Sequence, residues 1–240
     1  TLVRVQVYRA DGTHLYRQHA MLQAFYYESL SKRERNKLHR RAADYYSEEA
    51  DWLKAARHLL RAGEEQQAAQ LATAHFWQSI NQGEAGSLGS LLAQIDRTQL
   101  DWHQQTDVLL AQGKVATLQR NSEQARTTYQ ETINLLQNRA DAPEIRLRWS
   151  QACRGMGNLL EYEAPHDALQ WLEQGKEKLQ GVAEAQHEQA LMHHRTGSVY
   201  LALGDYAQAE QELTQSMALL TDDDLHARAD VLMNLGVVYC

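Results

Sequence analysis

Apolar positions in this chain follow two rhythms. Near the start, Val3, Val5 and Val7 alternate with Arg4, Gln6 and Tyr8. A period of two sends neighbouring side chains to opposite faces and predicts a strand. Asp11-Gly12 comes next, a tight-turn signal, because glycine enters positive φ without a steric clash. The chain then returns through residues 13–17. A β-hairpin over 2–17 is expected. Two strands alone are marginal in water, so the hairpin needs a surface to lie against.

From His19 onward every apolar pattern is helical. Met21, Leu22, Phe25 and Tyr26 recur at helical spacing over 19–29. Ser31 reads as an N-cap, with Glu34 three residues later closing a capping box. Leu38, Ala42, Tyr45 and Tyr46 form the apolar stripe of the helix that follows. Helices are predicted over 51–62 and 64–82, parted by Gly63. Gly83, Gly86 and Gly89 predict a break before 91–95.

The second half repeats. Gly113, Gly157, Gly197 and Gly236 sit on apolar helical stretches, separated by 44, 40 and 39 residues. Ala125 follows Gly113 by twelve residues and Ala209 follows Gly197 by twelve; Tyr129 and Leu213 come four later. From Gly157, Ala168 arrives one position early. Small residues let paired helices approach, and large ones fill the remaining gap. The run Gly197-Ser-Val-Tyr200-Leu-Ala-Leu-Gly204-Asp-Tyr206-Ala-Gln-Ala209 resembles a tetratricopeptide repeat. The expected fold class is all-α: an α-solenoid of antiparallel, tetratricopeptide-like helix pairs preceded by the short β-hairpin. The last unit, Leu232 to Tyr239, reads as helix A of a repeat without helix B. Together with the non-Met start, this suggests a piece of a longer protein. Self-association through Leu232, Leu235 and Tyr239 is expected.

The first eighty residues carry a second resemblance. Leu15-Tyr-Arg17-Gln-His19-Ala-Met-Leu22-Gln-Ala-Phe25 follows the hairpin and opens a helix. Leu38-His39-Arg-Arg-Ala42-Ala43-Asp-Tyr45-Tyr46 and Ala55-Ala56-Arg57-His58-Leu59-Leu60-Arg-Ala62-Gly63 come after it. This order resembles STAND-class signalling ATPases, which include the bacterial maltose regulator, apoptosome proteins and NLR-type receptors. The resemblance implies the end of a winged-helix domain over 1–31, a helical arm over 32–104 and tetratricopeptide-like repeats over 105–240. It also implies that His19 matches the family histidine that contacts the β-phosphate of ADP, although Ala20 stands where many members have an acidic residue. ADP or ATP with Mg would then be bound by the parent protein. The segment itself has no P-loop and no Walker B strand, so no cofactor is expected in it. It would contact the upstream ATPase core in cis and help hold it inactive until an inducer or partner binds. The alternative is a general tetratricopeptide scaffold without nucleotide control.

Charge narrows the choice of partner. The net charge is −7, but residues 1–60 carry +4 and residues 61–240 carry −11. Nucleic-acid binding is therefore not expected of the repeats. Lys32, Arg33, Arg35, Lys37, Arg40 and Arg41 form a basic run, which helical spacing should spread around the cylinder as a solvated face. No apolar run is long enough to span a bilayer. Two cysteines, Cys153 and Cys240, make no disulfide framework and suit a reducing, cytoplasmic setting. His187, His193 and His194 make no metal-ligand set. No catalytic constellation is present, so enzyme activity is not expected of the segment. The candidate site is the concave face lined by helix A of each repeat. Arg154 with Asn158, Leu191 with Arg195, and His194 with Ser198 lie one turn apart, and Asn234 follows in the next unit. Arg154 and Asn158 match part of the Lys/Asn/Arg clamp with which co-chaperone repeats hold a terminal carboxylate. Asp107, Glu161 and Asp230 are expected on the same lining, which makes it mixed in sign and suited to a peptide, a protein or a polar inducer.

Overall fold

A computed structural model describes residues 5–8, 14–17, 20–139 and 141–240. His19 and the Asp11-Gly12 turn lie outside the described residues. The chain divides into two compact units, 1–72 and 73–240.

In the first unit, β1 (Val5–Tyr8) pairs antiparallel with β2 (His14–Arg17), in register from Val5 opposite Arg17 to Tyr8 opposite His14. Helices α1 (Ala20–Ser29), α2 (Lys32–Glu48) and α3 (Trp52–Ala62) follow. The expected capping box starts α2: Ser31 Oγ accepts from the Glu34 amide, and Glu34 Oε2 accepts from the Ser31 amide at 2.8 Å. These two reciprocal bonds satisfy donors that the first helical turn leaves open. Asp51 caps α3, and Gly63 ends it in the left-handed region at φ 77°. α2 packs on α3, and Ala43 of α2 and Leu53, Ala55 and Ala56 of α3 are buried.

Two features depart from the sequence reading. The helix expected over 64–82 is two helices, α4 (Glu65–Ala74) and α5 (Phe76–Asn81). His75 leaves helical geometry between them, and Phe76 turns into the core. The expected break at Gly86 and Gly89 is instead inside α6 (Ala85–Gln94). A side chain at Gly89 would place Cβ 2.9 Å from Val115, so this glycine serves close helix packing rather than a turn.

In the second unit, helices alternate along a stack. They are α7 (Trp102–Leu118), α8 (Ser122–Gln137), α9 (Pro143–Leu160), α10 (Pro165–Leu179), α11 (Gln186–Leu203), α12 (Tyr206–Leu219) and α13 (Leu225–Val238). Asp101, Asn121 and Asp205 cap three of them with side-chain bonds to the third helical amide. The two prolines of the chain open α9 and α10, where a missing N–H is harmless. The pairs α7/α8, α9/α10 and α11/α12 form the repeats. In each, the A-helix glycine receives a large B-helix side chain: Tyr129 on Gly113, Leu172 on Gly157 and Leu213 on Gly197. Tyr129 lies against Gly155 of the next A helix as well. The Gly/Ala spacing therefore marks helix pairs as the sequence reading supposed. Gly236 has no such neighbour, and Leu232, Met233, Val237 and Tyr239 are exposed on α13.

The glycine contacts carry a prediction. A β-carbon at Gly113 would stand 2.5 Å from the Tyr129 ring. Gly113→Ala should therefore lower stability by about 1–3 kcal/mol through overpacking, despite alanine's better helix propensity. Denaturant unfolding compares the two; equal midpoints would show that the ring can move aside.

Candidate functional site

The A helices α7, α9, α11 and α13 touch one another in succession. Every predicted groove residue except Asp107 and Glu161 lies on α9, α11 or α13. Their side chains are tied largely to each other. Arg154 of α9 forms a two-point ion pair with Glu188 of α11, Nε to Oε1 at 2.7 Å and Nη2 to Oε2 at 3.0 Å. The side chains are 23% and 5% exposed. Burial opposes the Arg154 charge, but the Glu188 carboxylate more than offsets this and holds its pKa above the usual value.

Arg195 of α11 donates to Glu161, at the end of α9, at 2.8 Å. Arg148 of α9 grips Asp107 of α7 at 2.8 and 3.1 Å. Three cross-helix pairs thus satisfy three of the arginines on this face. One link from α11 to α13 is neutral, while at the start of α13 His187 Nδ1 meets the Asp224 carboxylate at 2.9 Å. Asn234 Nδ2 donates to His194 Nε2 at 3.0 Å and to Ser198 Oγ at 2.9 Å. His194 must accept, so its Nε2 is unprotonated. Burial first, and then the Arg195 charge, pushes His194 down to about 4.

Asn158 and Leu191 are partly buried on α9 and α11. Asp230 lies on α13 and acts on His194 through its charge. The sequence reading missed Glu188 and Arg148, which complete two of the three pairs. Arg154 and Glu188 are 34 residues apart, as are Glu161 and Arg195. That recurrence of opposite charges was the available signal. Lys114 was missed too. It follows Gly113 on α7, and burial, then Arg154, pushes its ammonium below the usual lysine range. It stands 5.7 Å from the centre of the Phe76 ring.

The first unit holds a polar cluster of another kind. His39 Nδ1 and His58 Nδ1 share a hydrogen bond at 2.9 Å, and the Tyr27 hydroxyl meets His39 Nε2 at 2.9 Å. Tyr46 stacks on His58 with an interplanar angle of 12°. Burial lowers both histidines, and Arg61 adds to it. The basic run is less dispersed than expected. Lys32, Arg33, Asn36, Lys37 and Arg40 line one hollow of about 680 Å³, because offsets of three and four residues return to one side of a helix. Arg40 pairs with Glu64. Among the described residues, no three His, Cys, Asp or Glu side chains are grouped to hold a metal ion. No described helix is long and apolar enough to cross a membrane.

No protein-family model matches the sequence, and no curated protein does. Solved structures do resemble the fold. One is a signal transduction ATPase with numerous domains, the STAND protein with a tetratricopeptide repeat sensor from Pyrococcus horikoshii. It matches over 96% of this chain and 41% of its own, with TM-score 0.55 and 13% identity. This chain therefore spans about two-fifths of that protein's length. Two structures of a kinesin light chain-type protein from Podosopora anserina, with nearly identical TPR-like repeats, also align. They have TM-scores of 0.49 and 0.46 at 13% and 14% identity, over 79% and 78% of this chain and 96% and 93% of theirs. The chain is a helical protein with tetratricopeptide-like repeats.

Proposed function

We propose that this chain is the sensing arm of a STAND-class ATPase, in which the repeats receive an inducer or protein partner and the first unit transmits that event to a nucleotide-binding core. The observation that carries the reading is the breadth of the likeness: the STAND protein aligns over 96% of the chain, through both units. The order of motifs from Leu15 to Gly63 points the same way. In this reading residues 1–31 are the end of a winged helix and His19 touches the β-phosphate of ADP in the whole protein. The chain contributes no catalytic group of its own, and the core binds the nucleotide with Mg. The setting is cytoplasmic.

His19→Ala in the whole protein tests it. One hydrogen bond to phosphate contributes about 1–3 kcal/mol, so ADP should dissociate roughly 5- to 150-fold faster and basal activity should rise. Unchanged ADP retention would remove His19 from the nucleotide site. An upstream coding sequence without a P-loop would reduce the protein to a tetratricopeptide interaction scaffold.

A further inference from the structure

The A-helix face directs its charges inward, whereas the B helices border a groove whose polar groups are open. α8 and α10 flank a cavity of about 730 Å³, with Met156 and Leu160 of α9 beneath it. Those two side chains are buried, and Trp171 of α10 is half-buried beside them. Gln130 and Asn134 stand on the α8 wall, and Gln170 and Gln174 on the α10 wall. Gln130 Nε2 donates to Asn134 Oδ1 at 3.1 Å, which leaves Gln130 Oε1 and Asn134 Nδ2 for a guest. The Gln170 and Gln174 amides have no protein hydrogen bond among the described residues.

The spacing of these amides selects the guest. Each wall holds two amides four residues apart, a rise of about 6 Å along a helix. An extended chain advances about 6.6 Å every second residue, and alternate residues turn their N–H and C=O to the same edge. Each row of amides therefore matches one edge of an extended backbone lying along the groove. Charge agrees with a neutral guest. Arg97 holds Glu131 at 2.8 Å, and Arg126 lies 4.0 Å from Glu163. Asp167 is left as an exposed carboxylate that repels phosphates.

We propose that the groove between α8 and α10 binds an extended polypeptide segment, holding its main chain through Gln130, Asn134, Gln170 and Gln174 and seating one apolar side chain on Trp171. The inference rests on the protein-interaction part of the reading above, not on nucleotide control. It places a binding surface on the B helices rather than on the A-helix face.

The probe is a fluorescein-labelled pentapeptide library, with one defined central residue per pool and mixed neighbours, titrated into the 240-residue chain by anisotropy. Pools with central Leu, Ile or Phe should bind more tightly than those with Ser or Asp. N-methylation of alternate backbone nitrogens in the best peptide should weaken it about tenfold, the effect of losing one or two net hydrogen bonds. Gln170→Ala with Gln174→Ala should do the same while helicity is kept, since both are exposed and alanine favours helix. Binding by no pool, or indifference to methylation, overturns the proposal. Loss of binding only on Asn158→Ala overturns the groove and moves the partner to the A-helix face, which leaves the sensor reading standing.

Discussion

Glu188→Ala is expected to destabilise the repeat unit by about 3 kcal/mol, more than any other single polar substitution on the A-helix face. Glu188 is 5% exposed and carries both bonds of the Arg154 guanidinium. Removing it leaves that cation largely buried near Lys114, whose ammonium is already disfavoured by burial and by the Arg154 charge. Ion pairs of this kind are weak evidence of net stability, because desolvation offsets much of their attraction; the loss comes from stranding one partner. Arg154→Met with Glu188→Leu should therefore recover most of the stability. Urea unfolding of the single and double variants decides it. A double variant as unstable as Glu188→Ala would mean that shape, not charge, is what the pair supplies. Arg154→Ala, which the sequence reading would treat as removal of a ligand contact, should behave as a stability variant first.

Acidification should weaken the protein well above the carboxylate range. His194 falls to about 4 in the folded chain and titrates near 6.5 when unfolded. A depressed folded pKa means that the unfolded state binds the proton first. Stability therefore declines as pH drops below about 6.5 and the decline ends near the folded value. The two values correspond to roughly 3 kcal/mol from this one residue. His39 and His58 act in the same direction, because one shared hydrogen bond between two Nδ1 atoms cannot survive protonation of both rings. Glu212, lowered by His193 and Lys176 against the effect of burial, adds a loss below its own unfolded range. Thermal unfolding from pH 7 to pH 4 should show a falling Tm, and His194→Gln should flatten the curve. A parallel curve for the variant would take the acid sensitivity away from His194 and leave it to the His39–His58 pair and Glu212.

Much of the fold was legible because it depends on contacts within one helix pair. Gly113, Gly157 and Gly197 face their B-helix knobs in the order the spacing implied, and Ser31 with Glu34 closes a cap that needs only four residues. The failures came where tertiary packing overrode local preference. Gly86 and Gly89 read as breakers but stay helical, Gly89 where α6 lies close on Val115 of α7, and His75 interrupts a helix that periodicity alone would continue. The candidate site was legible as a roster of faces, not as pairings. Arg154 and Arg195 do lie on successive A helices, yet their partners depend on how far α9 and α11 slide past each other. That stagger is a property of packed helices and leaves only a faint mark, the repeated separation of 34 residues.

The neutral contact between α11 and α13 bears on dynamics. In a linear stack, each helix pair draws stability from its neighbours, so a contact that changes with pH sets which seam opens first. α13 is gripped by α11 and α12, through the buried Val231 and the Asn234 bonds to His194 and Ser198. Charging His194 would remove the acceptor that Asn234 uses. The seam between α11 and α13 is therefore expected to loosen in acid while seams built on carboxylate–guanidinium pairs still hold.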